Sequence, residues 1–162
     1  AANIGPTTPD APGPGYIHSK WLGEHVMRGV HPDAASLRIG GIYGSGGPKH
    51  LGLNRSIDSA LDGKPPTIYG DGSARRNYIH VVDAANALVT AVEDKWSGIH
   101  LIASHEVLTI ASMMRVIAET LLGKPPVRDE KKSAGPDIVV LPSPLQPKTR
   151  PFADVIMSYK SI

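Results

Sequence analysis

The spacing of apolar and polar positions changes several times along the chain, and each change marks an element. Ile17, Trp21, Leu22 and Val26 recur at helical intervals from Tyr16 onward, with Gly29 as a stop. Ser36 to Ile39 reads as a short strand, closed by Gly40-Gly41 and followed by the loop Gly44-Ser45-Gly46-Gly47-Pro48. A second helix fits Leu53 to Asp62, with Leu53, Ile57, Ala60 and Leu61 on one face; Gly63 suits a left-handed cap and Pro65-Pro66 prevent continuation. Thr67-Ile68-Tyr69 forms a strand that turns at Gly70-Asp71-Gly72, and Asn77 to Val81 forms another. Asp83 can N-cap a helix that turns Ala85, Leu88, Val89 and Val92 inward. Ile99 to Ala103 is extended, and Thr109 caps a helix carrying Ile110, Met113, Met114, Ile117 and Leu121 up to Gly123.

The ends of the chain carry less pattern. Residues 1–15, with Pro6, Pro9, Pro12 and Pro14, have no hydrophobic period and read as a loop-like lead-in. Beyond Pro125, Asp137 to Leu141 fits a strand and Pro142 to Pro151 a proline-rich connection. Gly-Lys-Pro-Pro occurs at 63–66 and again at 123–126, but the flanks share only a helix reaching its stop, so this is not a repeat unit. Helices alternating with short strands define an α/β layered domain.

Composition narrows the classes. The 162 residues suffice for one core, and 41% apolar with 20% charged residues is an ordinary globular balance. No apolar run is long enough to cross a bilayer, so no membrane partner is expected. Seventeen basic against fifteen acidic residues leave a net charge of +2, too balanced to argue for nucleic acid. The absence of cysteine excludes disulfides, thiolate metal sites and cysteine nucleophiles, and it is compatible with a cytoplasmic location. Seven histidines include His18 and His25 on roughly one helical face, but no H-x-x-x-H pair, so no metal site is expected. His80 reads as a packed strand residue and Asp71 as a turn residue.

One pair carries chemistry. Tyr16 and Lys20 stand four apart at the start of a helix, on one face and within reach of a common ligand. A cation beside a phenol favours the phenolate, which makes the hydroxyl a usable acid or base for an alcohol or carbonyl oxygen. Taken alone the pair is a weak signal; its neighbourhood decides.

Tyr16-x-x-Ser19-Lys20-x-x-Gly23-Glu24 resembles the active-site helix of the extended short-chain dehydrogenase/reductase family, the NAD-dependent epimerases and dehydratases typified by UDP-galactose 4-epimerase. Three further blocks are similar to that family in the same order: Leu37-Arg38-Ile39-Gly40-Gly41-Ile42-Tyr43-Gly44, then Thr67-Ile68-Tyr69-Gly70-Asp71-Gly72, then Arg76-Asn77-Tyr78-Ile79-His80-Val81 continuing to Asp83-Ala84-Ala85. The resemblance covers nearly the whole chain and fades after about residue 127. It implies an α/β fold that is the C-terminal part of a doubly wound Rossmann-like sheet plus a small α/β substrate-binding lobe. The expected division is a lead-in over 1–15 and that C-terminal portion over 16–162.

The resemblance also implies roles. Tyr16 and Lys20 would be catalytic: Tyr16 the general acid/base, Lys20 the group that favours its phenolate and holds the nicotinamide ribose of NAD or NADP. Ile39, Gly40 and Gly41 would lie against the nicotinamide end of that cofactor. Arg76 would meet the diphosphate of a nucleotide-sugar substrate, with Gly41, Leu53, Thr67 and Tyr69 lining the rest of its site. The first helix, with Gly23, suits a homodimer contact.

Departures from the family pattern shape the expectation. Gly41 stands where the family has a substrate-contacting Asn, which removes an amide and opens space. Asn77 replaces an Asp. Ala134 occupies the neighbourhood of a second phosphate-binding Arg, for which Lys131 or Lys132 substitutes only in part. The family's G-x-x-G-x-x-G pyrophosphate turn has no counterpart, and Gly44-Ser45-Gly46-Gly47 lacks the strand–turn–helix context such a turn needs. The chain therefore reads as the C-terminal half of an enzyme, without the dinucleotide-binding half and inactive alone. Two alternatives stand beside the nucleotide-sugar reading: a related reductase of a sterol, flavonoid or other small carbonyl compound, and a non-catalytic dimerisation or substrate-lobe module.

Overall fold

A computed structural model describes residues 2–4, 15–131 and 135–161. In chain order the elements are β1 (Ala2–Ile4), α1 (Gly15–Val30), β2 (Ala35–Ile39), β3 (Ile42–Tyr43), α2 (Gly52–Leu61), β4 (Thr67–Tyr69), β5 (Arg75–Arg76) and β6 (Ile79–His80). They continue with α3 (Val81–Glu93), β7 (Gly98–Ile102), β8 (Leu108–Thr109), α4 (Ile110–Leu122), β9 (Val127–Asp129), β10 (Ile138–Val140) and α5 (Phe152–Ser158).

The strands pair mostly in parallel, as expected when helices form the crossovers. β2 runs parallel to β7, from Ala35 opposite Gly98 to Ile39 opposite Ile102. β3 pairs with β6 and β4 with β9, again in parallel. A four-stranded sheet has the order β1-β10-β5-β8, antiparallel only between β5 and β8. The result is a mixed α/β, Rossmann-like fold.

Two apolar clusters hold these layers. One joins α2, α4 and α5 through Leu53, Ile57, Met113, Ile117, Val155 and Ile156, with Tyr43 and Phe152 ring to ring at 5.4 Å. Met113 and Met114 fill this core, as their helical spacing predicts. The second packs Ala84, Ala87 and Ala91 of α3 against Ile79, Ile102 and Trp96.

Helix ends follow local chemistry. The Thr109 hydroxyl accepts the Ser112 N–H at 3.1 Å to start α4, and Gly123 ends it at φ 63°, a left-handed conformation that glycine adopts without strain. Gly63 plays the corresponding part after α2 at φ 80°.

Several expectations need correction. Residues 2–4 are not loop: β1 lies in register on β10. Residue 1 and residues 5–14 of the lead-in lie outside the described residues. Gly29 does not stop α1, which continues to Val30. Of the strand expected over 77–81 only Ile79–His80 forms β6; β5 lies before it at Arg75–Arg76, and Val81 already belongs to α3.

The N-cap of α3 is His80, whose ring accepts the Val82 N–H, and not Asp83, whose carboxylate is buried against Arg150. Its inward face is Asp83, Ala84, Ala87 and Ala91, while Ala85, Leu88, Val89 and Val92 are exposed. Small alanines let the helix approach the strands closely, so apolar size pointed to the wrong stripe. On α2, Leu61 is exposed and Asn54 takes a buried place. Neither β9 nor α5 was legible in the thin pattern beyond Pro125.

Candidate functional site

The first cluster of expected residues stands on α1. Tyr16 is 74% exposed, and the Lys20 Nζ lies over its ring, 5.3 Å from the centroid. The Ser19 hydroxyl donates to the Tyr16 carbonyl at 2.8 Å, tying that side chain to the helix rather than to a ligand. The helix is fastened to β2 by Glu24, which accepts from Arg38 Nε at 2.9 Å and Arg38 Nη2 at 2.7 Å. That fork holds the Glu24 carboxyl below its ordinary range, against the opposing effect of desolvation. It joins the helix of Tyr16 and Lys20 to the strand that ends at Ile39-Gly40-Gly41.

Gly40 is fitted to its neighbours: its N–H donates to the Ile102 carbonyl at 2.8 Å, and an added Cβ would lie 3.5 Å from that of Ala103. Gly41 is tighter. A Cβ there would stand 2.3 Å from Cδ1 of Tyr78, so the ring of Tyr78 lies on the glycine backbone. The expectation that Gly41 opens space is overturned, because an aromatic ring fills it.

Tyr78 leads to the second cluster. A cavity of about 450 Å³ is walled by α2, β4, the β4–β6 segment and the start of α4, within the size range of ligand pockets. Leu53, Thr67, Tyr69 and Arg76, which the family resemblance places around one substrate, all line this one cavity. Gly41 does not line it but abuts it through Tyr78. The sequence reading missed Arg55, Ser56 and Ser59, which also line it. With Gly52 they form an i, i+3, i+4, i+7 stripe on α2 beside its apolar face, a period that was there to be read. Ile110 and Met114 supply apolar floor.

Arg75 and Arg76 both bond to the segment just before β10. Arg75 donates from its backbone N–H and Nε to Asp137, at 2.7 and 2.8 Å, and holds that carboxyl below its ordinary range. Arg76 uses one nitrogen, Nη1, on the carbonyls of Arg75 and Pro136 at 2.7 and 2.6 Å. Its other nitrogens have no protein acceptor among the described residues. A guanidinium braced in this way and lining a cavity suits a bidentate anion. Asp71 is a turn residue, accepting the N–H and hydroxyl of Ser73 at 3.0 and 2.8 Å. Of the residues discussed as partial replacements for a second arginine, Lys131 is exposed, while Lys132 and Ala134 lie outside the described residues.

Asn77 clamps the strands behind the cavity. Its Nδ2 donates to the carbonyls of Ser104 and Val140 at 2.9 and 2.7 Å, and its Oδ1 accepts the Val140 N–H at 3.0 Å. The loop after β3 is closed on itself. Gly44 N–H donates to Asn54 Oδ1 at 3.1 Å, Gly47 N–H donates to the Gly44 carbonyl at 3.1 Å, and a Cβ on Gly47 would meet the Asn54 amide at 2.4 Å. Amide groups turned inward in this manner do not form a phosphate cradle. No group of three or more possible metal-ligating side chains occurs among the described residues. No described helix is long and apolar enough to cross a membrane.

The chain is thus a mixed α/β fold, mostly of parallel strand pairs, with a cavity lined by two arginines. Residues 3–103 match the NAD dependent epimerase/dehydratase family, and the chain belongs to that family. It is 31% identical over 120 residues to a dTDP-4-dehydro-6-deoxy-D-allose reductase of Streptomyces bikiniensis, covering 68% of this chain and 36% of that protein. It is 35% identical over 98 residues to a dTDP-glucose 4,6-dehydratase of Neisseria meningitidis serogroup B, covering 54% and 26%. Among solved structures, the UDP-glucuronic acid 4-epimerase of Bacillus cereus in complex with NAD superposes with a TM-score of 0.77 at 22% identity, over 96% of this chain and 53% of that one. The chain thus spans about a third of the first of these curated relatives and about half of the solved structure.

Proposed function

We propose that this chain is the substrate-side portion of an NAD(P)-dependent enzyme acting on a nucleotide-activated sugar, with Tyr16 as the acid/base, Lys20 beside it and Arg76 on the diphosphate. The observation that carries this reading is the convergence of Leu53, Thr67, Tyr69 and Arg76 on one cavity in a chain of this family. Tyr16 exchanges the proton of a sugar hydroxyl, and Lys20 holds a ribose hydroxyl. The nicotinamide, when bound, supplies hydride exchange at the same carbon.

The residues present fit only one end of that cofactor. A phenol and an ammonium on one exposed helical face suit ribose hydroxyls, and the strand leading to Gly40-Gly41 is tied to that helix by Arg38 and Glu24. The diphosphate end finds no cradle among the described residues, since the glycine loop at 44–47 bonds inward. The reading therefore takes that cradle from polypeptide other than the described residues, and it includes a cytoplasmic location and a homodimer through α1.

Calorimetric titration with UDP, dTDP and NAD tests the proposal. Binding of UDP or dTDP without tight binding of NAD is the expected result. Tight NAD binding by this chain alone would overturn the division of labour. No binding of either nucleoside diphosphate would leave the structural-module alternative.

A further inference from the structure

Among the described residues the cavity is lined by two guanidinium groups, Arg55 from α2 and Arg76 from β5, and by no carboxylate. Three arginines elsewhere meet acids: Arg38 pairs with Glu24, Arg75 with Asp137 and Arg150 with Asp83. Arg55 has no ion pair or side-chain hydrogen bond among the described residues, and Arg76 donates only to carbonyls. Two positive charges thus border a cavity whose described lining has no acid to neutralise them.

Arg55 is placed on the cavity by helix geometry. It lies three residues after Gly52 and four before Ser59, which line the same wall. Ser56 and Ser59 spend their hydroxyl protons on the carbonyls of Gly52 and Lys64, at 2.9 and 3.3 Å, so the serines do not supply the missing counter-charge. The N-cap of α2, Leu51, offers no side-chain acceptor, so the positive end of that helix adds to the field.

From this arrangement we infer that Arg55 is a second phosphate-binding residue, acting with Arg76 as a two-arginine clamp on the diphosphate of the ligand. The inference rests on the nucleotide reading of the cavity and deepens it. A diphosphate carries more than one negative charge, and its two phosphoryl groups offer separate sets of oxygens to two forks. Arg76, braced by the carbonyls of Arg75 and Pro136, fixes position; Arg55, on the exposed rim, closes over the ligand from the helix side.

The test compares UDP with uridine, and dTDP with thymidine, by calorimetry on the unsubstituted chain and on Arg55→Gln and Arg55→Lys. Arg55→Gln is expected to weaken nucleoside diphosphate binding tenfold or more, leave nucleoside binding unchanged and flatten the salt dependence. Arg55→Lys should restore part of the affinity. Equal diphosphate affinity in Arg55→Gln, or an equal loss for the nucleosides, overturns the clamp while leaving the nucleotide reading intact. No binding of any of these ligands by the unsubstituted chain overturns both. Because Arg55 is exposed, the urea midpoint of each variant should match that of the parent chain.

Discussion

Arg38 on β2 holds Glu24 on α1 with two nitrogens on two oxygens, and both side chains are about four-fifths buried. Removing the guanidinium leaves a carboxylate short of its partner in a place with little water. Arg38→Ala is expected to cost about 1–3 kcal/mol in urea unfolding, and Arg38→Lys to recover only part of it. The pair also sets an acid limit. Because the folded state lowers the Glu24 pKa below 4.5, its contribution is complete above that value and disappears as pH falls through the folded pKa. Glu24→Gln should remove that part of the acid sensitivity.

Asn77 invites a sharper test, because an aspartate stands at this place in the family pattern. The carboxylate of Asn77→Asp would face the carbonyls of Ser104 and Val140 where an NH₂ now donates. The expected loss is about 2–4 kcal/mol at neutral pH. The sign with pH follows: burial beside carbonyls raises the new acid's pKa, so the loss should grow as pH rises and shrink as the group is protonated. A loss independent of pH between 4 and about 8, the span over which such an acid titrates, would refute this account.

Gly41 and Tyr78 form a coupled pair. Gly41→Ala places a methyl group into the Tyr78 ring, with an expected cost of about 1–3 kcal/mol. In a Tyr78→Ala background the same substitution should cost much less. A double-mutant cycle on unfolding free energies measures the difference, and additive costs would show that the ring is not the obstacle.

His80 supplies a second pH dependence. Its Nδ1 accepts the Val82 N–H and faces the Arg150 guanidinium, while its Nε2 lies 3.0 Å from the Tyr159 hydroxyl. Burial first, and Arg150 second, lower its pKa; Asp83 opposes them in part. Since the unfolded state then binds the proton more readily, this contribution is complete above about pH 6.5 and is lost as pH falls toward the folded pKa. Urea midpoints should drop between pH 7.5 and 5, roughly the range in which histidine titrates, and the drop should be smaller in His80→Gln.

The sequence made the strand–helix alternation, the caps at Thr109 and Gly123 and four of the cavity residues readable, because each rests on local spacing or ordered motifs. What it hid depends on packing between distant segments. Leu88 and Val89 outrank Ala84 and Ala87 in hydrophobicity, yet only the alanines let α3 settle on the strands. Asp83 has the chemistry of an N-cap, but Arg150, 67 residues away, claims its carboxylate. Space at Gly41 could not be judged before Tyr78 had a position. Arg55 stands on the polar stripe of α2, and only the packing of α2 against β4 and α4 turns that stripe toward a cavity.

The inward bonding of Asn54 has a meaning for affinity as well as for shape. With Gly44 and Pro48 both bonded to that side chain, the segment leading into α2 is already ordered when a ligand arrives. Ordering a loop costs about 1–2 kcal/mol per residue, and here that cost falls on folding rather than on binding. The helix wall of the cavity is thereby preorganised, and the binding free energy of a ligand goes into contacts instead of into fixing the loop.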